Sequence, residues 1–270
     1  MKTEATPAAA DGGGNVVAST QNTQYDQIGS KYNTMHVLPS VEPERPSVLK
    51  ALGDIKGLRC LDLACGTGRY TNLLHSLGAS LVDGYDISTT MVEGATKAYP
   101  PETFSNLRFS VADCSIPLPD PKPEPFDLIF AGWFLNYAGT EKELVSMFNV
   151  VKDNLKDGGR FVGITTDGFD PLMHTPKRNF YGIEVEVLDP AYKGPGGSVV
   201  LGIKARVITP MIQFDVFQFK SEVYERCAEK AGLVLKWGEH VMPDDERKEA
   251  GYWKEWIERP TFQVVHCTKA

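Results

Sequence analysis

From about residue 59 onward, short apolar runs alternate with stretches whose apolar residues recur every three or four positions. The runs Arg59 to Leu63, Ser80 to Tyr85, Asn106 to Val111, Asp127 to Ala131 and Arg160 to Thr165 have the length and character of buried strands. Between them, Arg69 to Leu77, Thr89 to Ala98 and Glu141 to Leu155 carry a helical period, and a proline-bracketed helix starts at Glu42 to Arg45 and runs to about Leu52. Such alternation predicts an α/β fold with a parallel sheet and right-handed crossovers. Its ligand sits outside the carboxyl ends of the strands, where the strand order reverses.

The period changes after Thr166. Ile183 to Leu188, Val199 to Val207 and Ile212 to Phe219 are β runs, broken by the Lys193-Gly194-Pro195-Gly196-Gly197 turn. A helix from Ser221 to Ala231, a strand from Leu233 to Trp237, a charged helix from Asp244 to Glu258 and a strand from Phe262 to Thr268 restore the first pattern. The span 25–270 therefore forms one domain, with an antiparallel insert at about 167–219. Residues 1–24 are Ala, Gly, Thr, Ser and Asn without an apolar core, which predicts a disordered tail and no signal peptide.

Composition narrows the function. A formal charge of −7 disfavours nucleic-acid partners, and no stretch of ~20 apolar residues predicts a membrane span. A soluble cytoplasmic protein, monomer or homodimer, with a small-molecule substrate is expected. Five scattered cysteines without a Cys-x-x-Cys pair predict reduced thiols, and no spacing suited to a metal site appears.

The chemistry-bearing signal lies where the first strand ends. Asp62-Leu63-Ala64-Cys65-Gly66-Thr67-Gly68-Arg69 gives a tight turn into a helix, and Asp86 closes the second strand where an ionised carboxylate matches a ribose diol. A dinucleotide site would carry a third glycine where this chain has Thr71, which disfavours an NAD-dependent dehydrogenase. The Asp-x-Ala-x-Gly-x-Gly form resembles motif I of class I S-adenosylmethionine-dependent methyltransferases. Val111-Ala112-Asp113-Cys114, Phe126 to Trp133 and Leu155-Lys156-Asp157-Gly158-Gly159-Arg160 are similar to later motifs of that family, in the family's order. Tyr25-Asp26-Gln27-Ile28 with Tyr32, the Pro43-Glu44-Arg45 step, the β insert and Tyr252 to Pro260 resemble the toxoflavin synthase-like branch of small-molecule methyltransferases.

The resemblance implies a Rossmann-like seven-stranded mixed sheet, the insert serving as substrate lid, and S-adenosylmethionine as cofactor with S-adenosylhomocysteine as product. Ala64, Gly66 and Gly68 would approach the methionine portion, Asp86 the ribose, and Ile87 and Met91 the adenine faces. Asp113 and the Cys114 N–H would read the adenine edge. Ala131 and Trp133 would flank the sulfonium, Tyr25 and Tyr32 would fold over it, and Arg45 would pair with the methionine carboxylate. Tyr137, Tyr181, Phe214 and Trp253, with Phe134, Phe180 and Phe217, are candidate walls for a flat acceptor. His174 is the candidate base, ahead of Asp170 and His36.

Methyl transfer to nitrogen or oxygen of a small aromatic or heterocyclic metabolite, in secondary metabolism, is the expected activity. Nitrogen is preferred because a neutral amine attacks without a base. The alternative is a cofactor-binding protein on the same fold that does not methylate, serving as a binding module or a catalyst of rearrangement.

Overall fold

The computed structural model describes residues 21–119 and 124–270. Most of the expected tail, residues 1–20, lies outside the described residues. Residues 21–24, also expected in that tail, form the first turn of α1 (Gln21–Ile28). Two 3-10 segments, Gly29–Val37 and Pro39–Val41, lead into α2 (Glu44–Leu52). The alternation then runs β1 (Arg59–Leu63), α3 (Arg69–Ser76), β2 (Leu81–Asp86), α4 (Thr89–Ala98), β3 (Leu107–Val111), β4 (Phe126–Gly132), α5 (Glu141–Asn154) and β5 (Leu155–Thr165). After the insert come α6 (Ser221–Lys230) and β10 (Leu233–Trp237), then α7 (Glu246–Glu249), α8 (Lys254–Glu258) and β11 (Gln263–Lys269). The insert itself holds β6 (Lys177–Phe180), β7 (Ile183–Tyr192), β8 (Gly202–Ile208) and β9 (Gln213–Phe219).

The seven strands of the main sheet lie in the order β10-β11-β5-β4-β1-β2-β3. β11 runs antiparallel to both its neighbours and the other pairings are parallel. The central strands β1, β2 and β4 and the second half of β5 are largely buried on both faces, which is why they read as nearly continuous apolar runs, whereas the edge strands β3 and β10 keep exposed positions. Alternate positions feed different cores: Leu61, Leu63, Ile129 and Phe161 pack with α5 and α6, whereas Cys60, Leu128, Phe130 and Val162 pack with α2 and α3. The five cysteines are all free and buried, and burial raises every thiol above its usual range.

Several boundaries shift, β5 already starting at Leu155 and β7 running on to Tyr192, and two departures change the element count. The charged helix expected over Asp244 to Glu258 is split at Gly251, whose φ of +74° ends α7's run. The insert has four strands instead of three, in the order β6-β7-β8-β9, all antiparallel. Its inward residues, including Ile203, Ala205, Phe214 and Val216, pack against Met35, Val41 and Tyr137. The insert thus packs on the 3-10 segments before α2 and on the turn that follows β4.

Candidate functional site

At the end of β1 the backbone turns through three left-handed residues, Ala64 (φ +58°), Gly66 (φ +53°) and Gly68 (φ +83°). A Cβ on Gly66 would meet no protein atom within 4 Å, and Gly66 lines a pocket, so its missing side chain leaves the pocket room. Gly68 has a different reason. A Cβ there would lie 3.0 Å from the Phe109 and Tyr99 rings, so Gly68 lets α3 start close to the sheet and does not line the pocket, contrary to expectation. Thr71 Oγ1 donates to buried Asp62 Oδ2 at 2.6 Å, tying α3 to β1, and burial pushes the Asp62 carboxyl up to about 7.

Asp86 ends β2 inside the same pocket. Its Oδ2 accepts the Gly66 N–H at 2.8 Å and its Oδ1 the Ser88 N–H at 2.9 Å. Burial raises this carboxyl above the usual range, while the backbone N–H groups oppose the rise. Ser88 Oγ accepts from the Met91 N–H at the start of α4 and donates to Asp26 of α1 at 2.6 Å, which fixes the N-terminal segment over the pocket. There Tyr25 and Tyr32 meet edge to face, and the hydroxyls of Tyr25 and Tyr137 hydrogen bond. Burial raises all three phenols, so they stay protonated.

The third wall is built around a carboxylate that sequence reasoning missed. Glu44, 1% exposed, accepts from Trp133 Nε1 at 2.8 Å, from Arg69 at 3.0 Å and from the Tyr70 hydroxyl. These donors offset the cost of burying the charge. Trp133 stands at the end of β4 in a left-handed conformation, φ +61°, and so turns back over the pocket. Arg69 also contacts His36 Nδ1 at 2.9 Å, and burial together with this guanidinium pushes His36 down to about 4.

His36 consequently gives a pH prediction. Unfolded, its pKa is near 6.5, so between about pH 6.5 and 4 the unfolded chain takes up a proton that the folded one refuses. Stability from this group is complete above 6.5 and is lost as pH falls through that window. His36→Gln should lose less of its urea midpoint than the parent between pH 7 and 5. Equal losses would show that His36 is not the titrating group.

The pocket encloses an empty volume of about 930 Å³, part of it open to solvent. Of the residues expected at a cofactor, Tyr25, Tyr32, Ala64, Gly66, Asp86, Ile87, Met91, Cys114 and Trp133 line it. A second pocket of about 700 Å³ lies beneath the insert and shares Tyr32, Met35, Val41, Trp133 and Tyr137 with the first. Ile183, Val185, Val207, Phe214 and Val216 make its apolar walls. Ser40, Asn136, Thr166, Lys177 and Gln218 are polar positions within it. Tyr137 and Phe214, expected in an acceptor wall, both line this second pocket.

Other expected residues fall elsewhere. Arg45 is exposed, because α2 turns Glu44, Val48 and Leu52 inward one residue out of phase with it. Arg69 is the guanidinium at the pocket. Asp113 accepts from its own turn, the Ser115 N–H at 2.8 Å and Oγ at 2.6 Å, and does not line the pocket. Ala131 packs in the core and Gly132 takes its place at the lining. Tyr181 and Trp253 stack on each other, 5.4 Å between centroids, away from both pockets. Phe180 and Phe217 are buried without lining either pocket, whereas Phe134 lines the first. His174 is exposed and lines neither pocket.

Asp170 is equally unsuited to act as a base. Buried at 3% exposure, it accepts from Arg259 Nε and Nη2 and from the Leu172 N–H. Lys177 Nζ sits 3.9 Å away and donates to the Arg259 and Pro260 carbonyls at 2.9 and 2.8 Å. Burial lowers this amine to about 8. The cluster fastens the entry of the insert to the segment before β11. Among the described residues, no group of three or more His, Cys, Asp or Glu side chains is placed to hold a metal ion.

Residues 60–159 match the family described as a methyltransferase domain. A demethylmenaquinone methyltransferase from Lactococcus lactis is 33% identical over 147 residues, 53% of this chain and 56% of the relative. The chain spans about half the length of the curated relatives it matches. An S-adenosylmethionine-dependent methyltransferase from Mesorhizobium loti superposes with a TM-score of 0.59 at 21% identity, covering 83% of this chain and 97% of that one. The DhpI–SAH complex gives 0.58 at 18% identity, covering 93% and 96%. These likenesses show the fold, the class I methyltransferase sheet carrying an additional four-stranded antiparallel sheet.

Proposed function

We propose, from the premise that residues 60–159 form a methyltransferase domain on the class I fold, that this chain transfers a methyl group from S-adenosylmethionine to a small apolar acceptor, an amine nitrogen in preference to oxygen. The observation carrying this reading is the junction of the two pockets at Tyr32, Met35, Val41, Trp133 and Tyr137. One pocket has the features a nucleoside-containing donor needs, and the other is mostly apolar and lies under the insert. A methyl group passing between two molecules requires such contiguity, since the nucleophile must sit in line with it at about 3–3.5 Å.

The donor fits the residues present. Asp86 keeps free lone pairs for a ribose diol beside the two N–H bonds it accepts, and Gly66 leaves room where a side chain would intrude. Ile87 and Met91 would supply apolar faces for a base, and Cys114, in the same lining, would offer its backbone to an adenine edge. Arg69, instead of Arg45, would meet the donor's carboxylate, with Glu44 holding its guanidinium in place. When bound, the sulfonium supplies an activated methyl, so the protein's contribution is alignment and exclusion of water.

The preference for nitrogen follows from the proton inventory. Tyr25, Tyr32 and Tyr137 remain protonated, Glu44 is occupied by three donors, the neutral His36 in the donor-pocket lining has its Nδ1 lone pair taken by Arg69, and Lys177 donates to carbonyls. A neutral amine can attack and release its proton afterwards, whereas a hydroxyl wants a base within reach. The toxoflavin synthase-like resemblance points to the same substrate class.

Calorimetric titration with S-adenosylmethionine, S-adenosylhomocysteine and NAD tests the donor assignment. Micromolar binding of the first two and none of NAD is expected. Binding of NAD alone would overturn it.

A further inference from the structure

The acceptor pocket contains a side chain whose hydrogen-bonding capacity is left unused. Asn136 lies in the 3-10 turn Leu135–Tyr137 immediately after β4, is 1% exposed and lines the second pocket. Neither its Oδ1 nor its Nδ2 is in full hydrogen-bond geometry with a protein group, although the amide stands close enough to the Tyr137 hydroxyl to oppose part of the rise of that phenol. Four other polar side chains of the lining are served: Thr166 Oγ1 donates to the Phe217 carbonyl at 3.2 Å, Gln218 Nε2 to the Asp167 carbonyl at 2.7 Å, Thr261 Oγ1 to the Ser40 carbonyl at 3.3 Å, and Lys177 Nζ to two carbonyls. Ser40 Oγ, also buried and in the lining, is the second unpaired group. A buried amide without partners is costly in a folded protein and needs a reason. Here its surroundings are apolar walls and a cavity large enough for a small molecule.

An asparagine amide presents an acceptor and a donor side by side. Its complement is an edge that offers a donor and an acceptor side by side: an N–H next to a carbonyl oxygen. We propose that Asn136 is the specificity-determining residue of the acceptor pocket, and that the acceptor is a compact apolar molecule with a carboxamide or lactam edge held by that side chain. Ser40 Oγ, elsewhere in the same lining, offers a further donor or acceptor to a bound molecule. The adjoining residue, Tyr137, lines both pockets, so a molecule anchored at Asn136 extends toward the junction where its nucleophile would meet the donor. This inference rests on the methyl-transfer reading. It adds which chemical edge the acceptor carries and which residue reads it.

The test uses the full chain saturated with S-adenosylhomocysteine and two probes of one ring system, isoquinolin-1-one, which has the lactam edge, and isoquinoline, which lacks it. Isothermal calorimetry should show the lactam binding at least tenfold tighter to the parent protein. Asn136→Leu should erase that ratio while leaving S-adenosylhomocysteine affinity and Tm at or above the parent's. Asn136→Asp, which keeps the shape but replaces the amide donor with an acceptor, should erase it too. A parent protein that binds both probes equally, or neither, overturns the proposal, as does a ratio that survives in both variants. Failure of S-adenosylhomocysteine to bind the parent would instead sink the methyl-transfer reading on which the assignment stands.

Discussion

Asp170→Ala should destabilise the folded chain by ~3–5 kcal/mol, the scale for removing one partner of a buried ion pair and leaving the other unmatched. Asp170 is the only anion in direct contact with both Arg259 and Lys177 among the described residues, and Lys177 is itself buried at 8% exposure. Their remaining partners are backbone carbonyls, which orient the cations without neutralising them. Equilibrium urea unfolding would measure the loss, and Tm should fall by on the order of 10 °C. The compensating double variant Asp170→Ala/Lys177→Met should recover part of it, because one of the two stranded charges is gone. A loss below about 1 kcal/mol would mean that the cluster is solvated in solution and does not fasten the insert.

The second large effect concerns the donor. Asp86→Ala should weaken S-adenosylhomocysteine binding by ~1.5–3 kcal/mol, or about 10- to 150-fold, the scale of hydrogen bonds to a charged group. Asp86 also accepts the Gly66 and Ser88 N–H groups, so some of that loss reflects a turn no longer held. Asp86→Asn separates the contributions: one oxygen remains to accept a backbone N–H while the charge is removed. Calorimetry on both variants, with Tm measured alongside, would decide. Unchanged affinity in a folded Asp86→Ala protein would remove this residue from the ribose.

Much of the main sheet was legible because its central strands are buried on both faces, so apolar runs mark them even without alternation. β6 was not. Lys177-Arg178-Asn179-Phe180 carries no apolar pattern, and it pairs with β7 while its lysine is neutralised by Asp170, a contact seven positions distant that no local period reveals. The site followed the same division. Gly66 sits in the left-handed turn after β1, Asp86 ends β2 and Met91 lies in the first turn of α4 behind its Ser88 cap, all places that local pattern marks. Arg45 was misplaced although the needed signal was present: Glu44, Val48 and Leu52 are spaced by four, which puts the glutamate on the inward face and leaves its neighbour outside. Asp113 misled for another reason, since a strand-end aspartate can satisfy its own turn as readily as a ligand. His174 had no pattern behind it, and the chain leaves it on the surface.

The distribution of thiols gives the molecule a built-in clock. Cys65 and Cys114 line the donor pocket, whereas Cys60, Cys227 and Cys267 lie in the packed cores. Alkylation requires a thiolate that reagent can reach, so none should label quickly in the closed native state. The first two need only a local opening of the N-terminal segment to become accessible, while the others wait for rarer, wider excursions. Labelling rates followed by peptide mass would therefore report the breathing of the cleft separately from unfolding of the body, without any introduced probe.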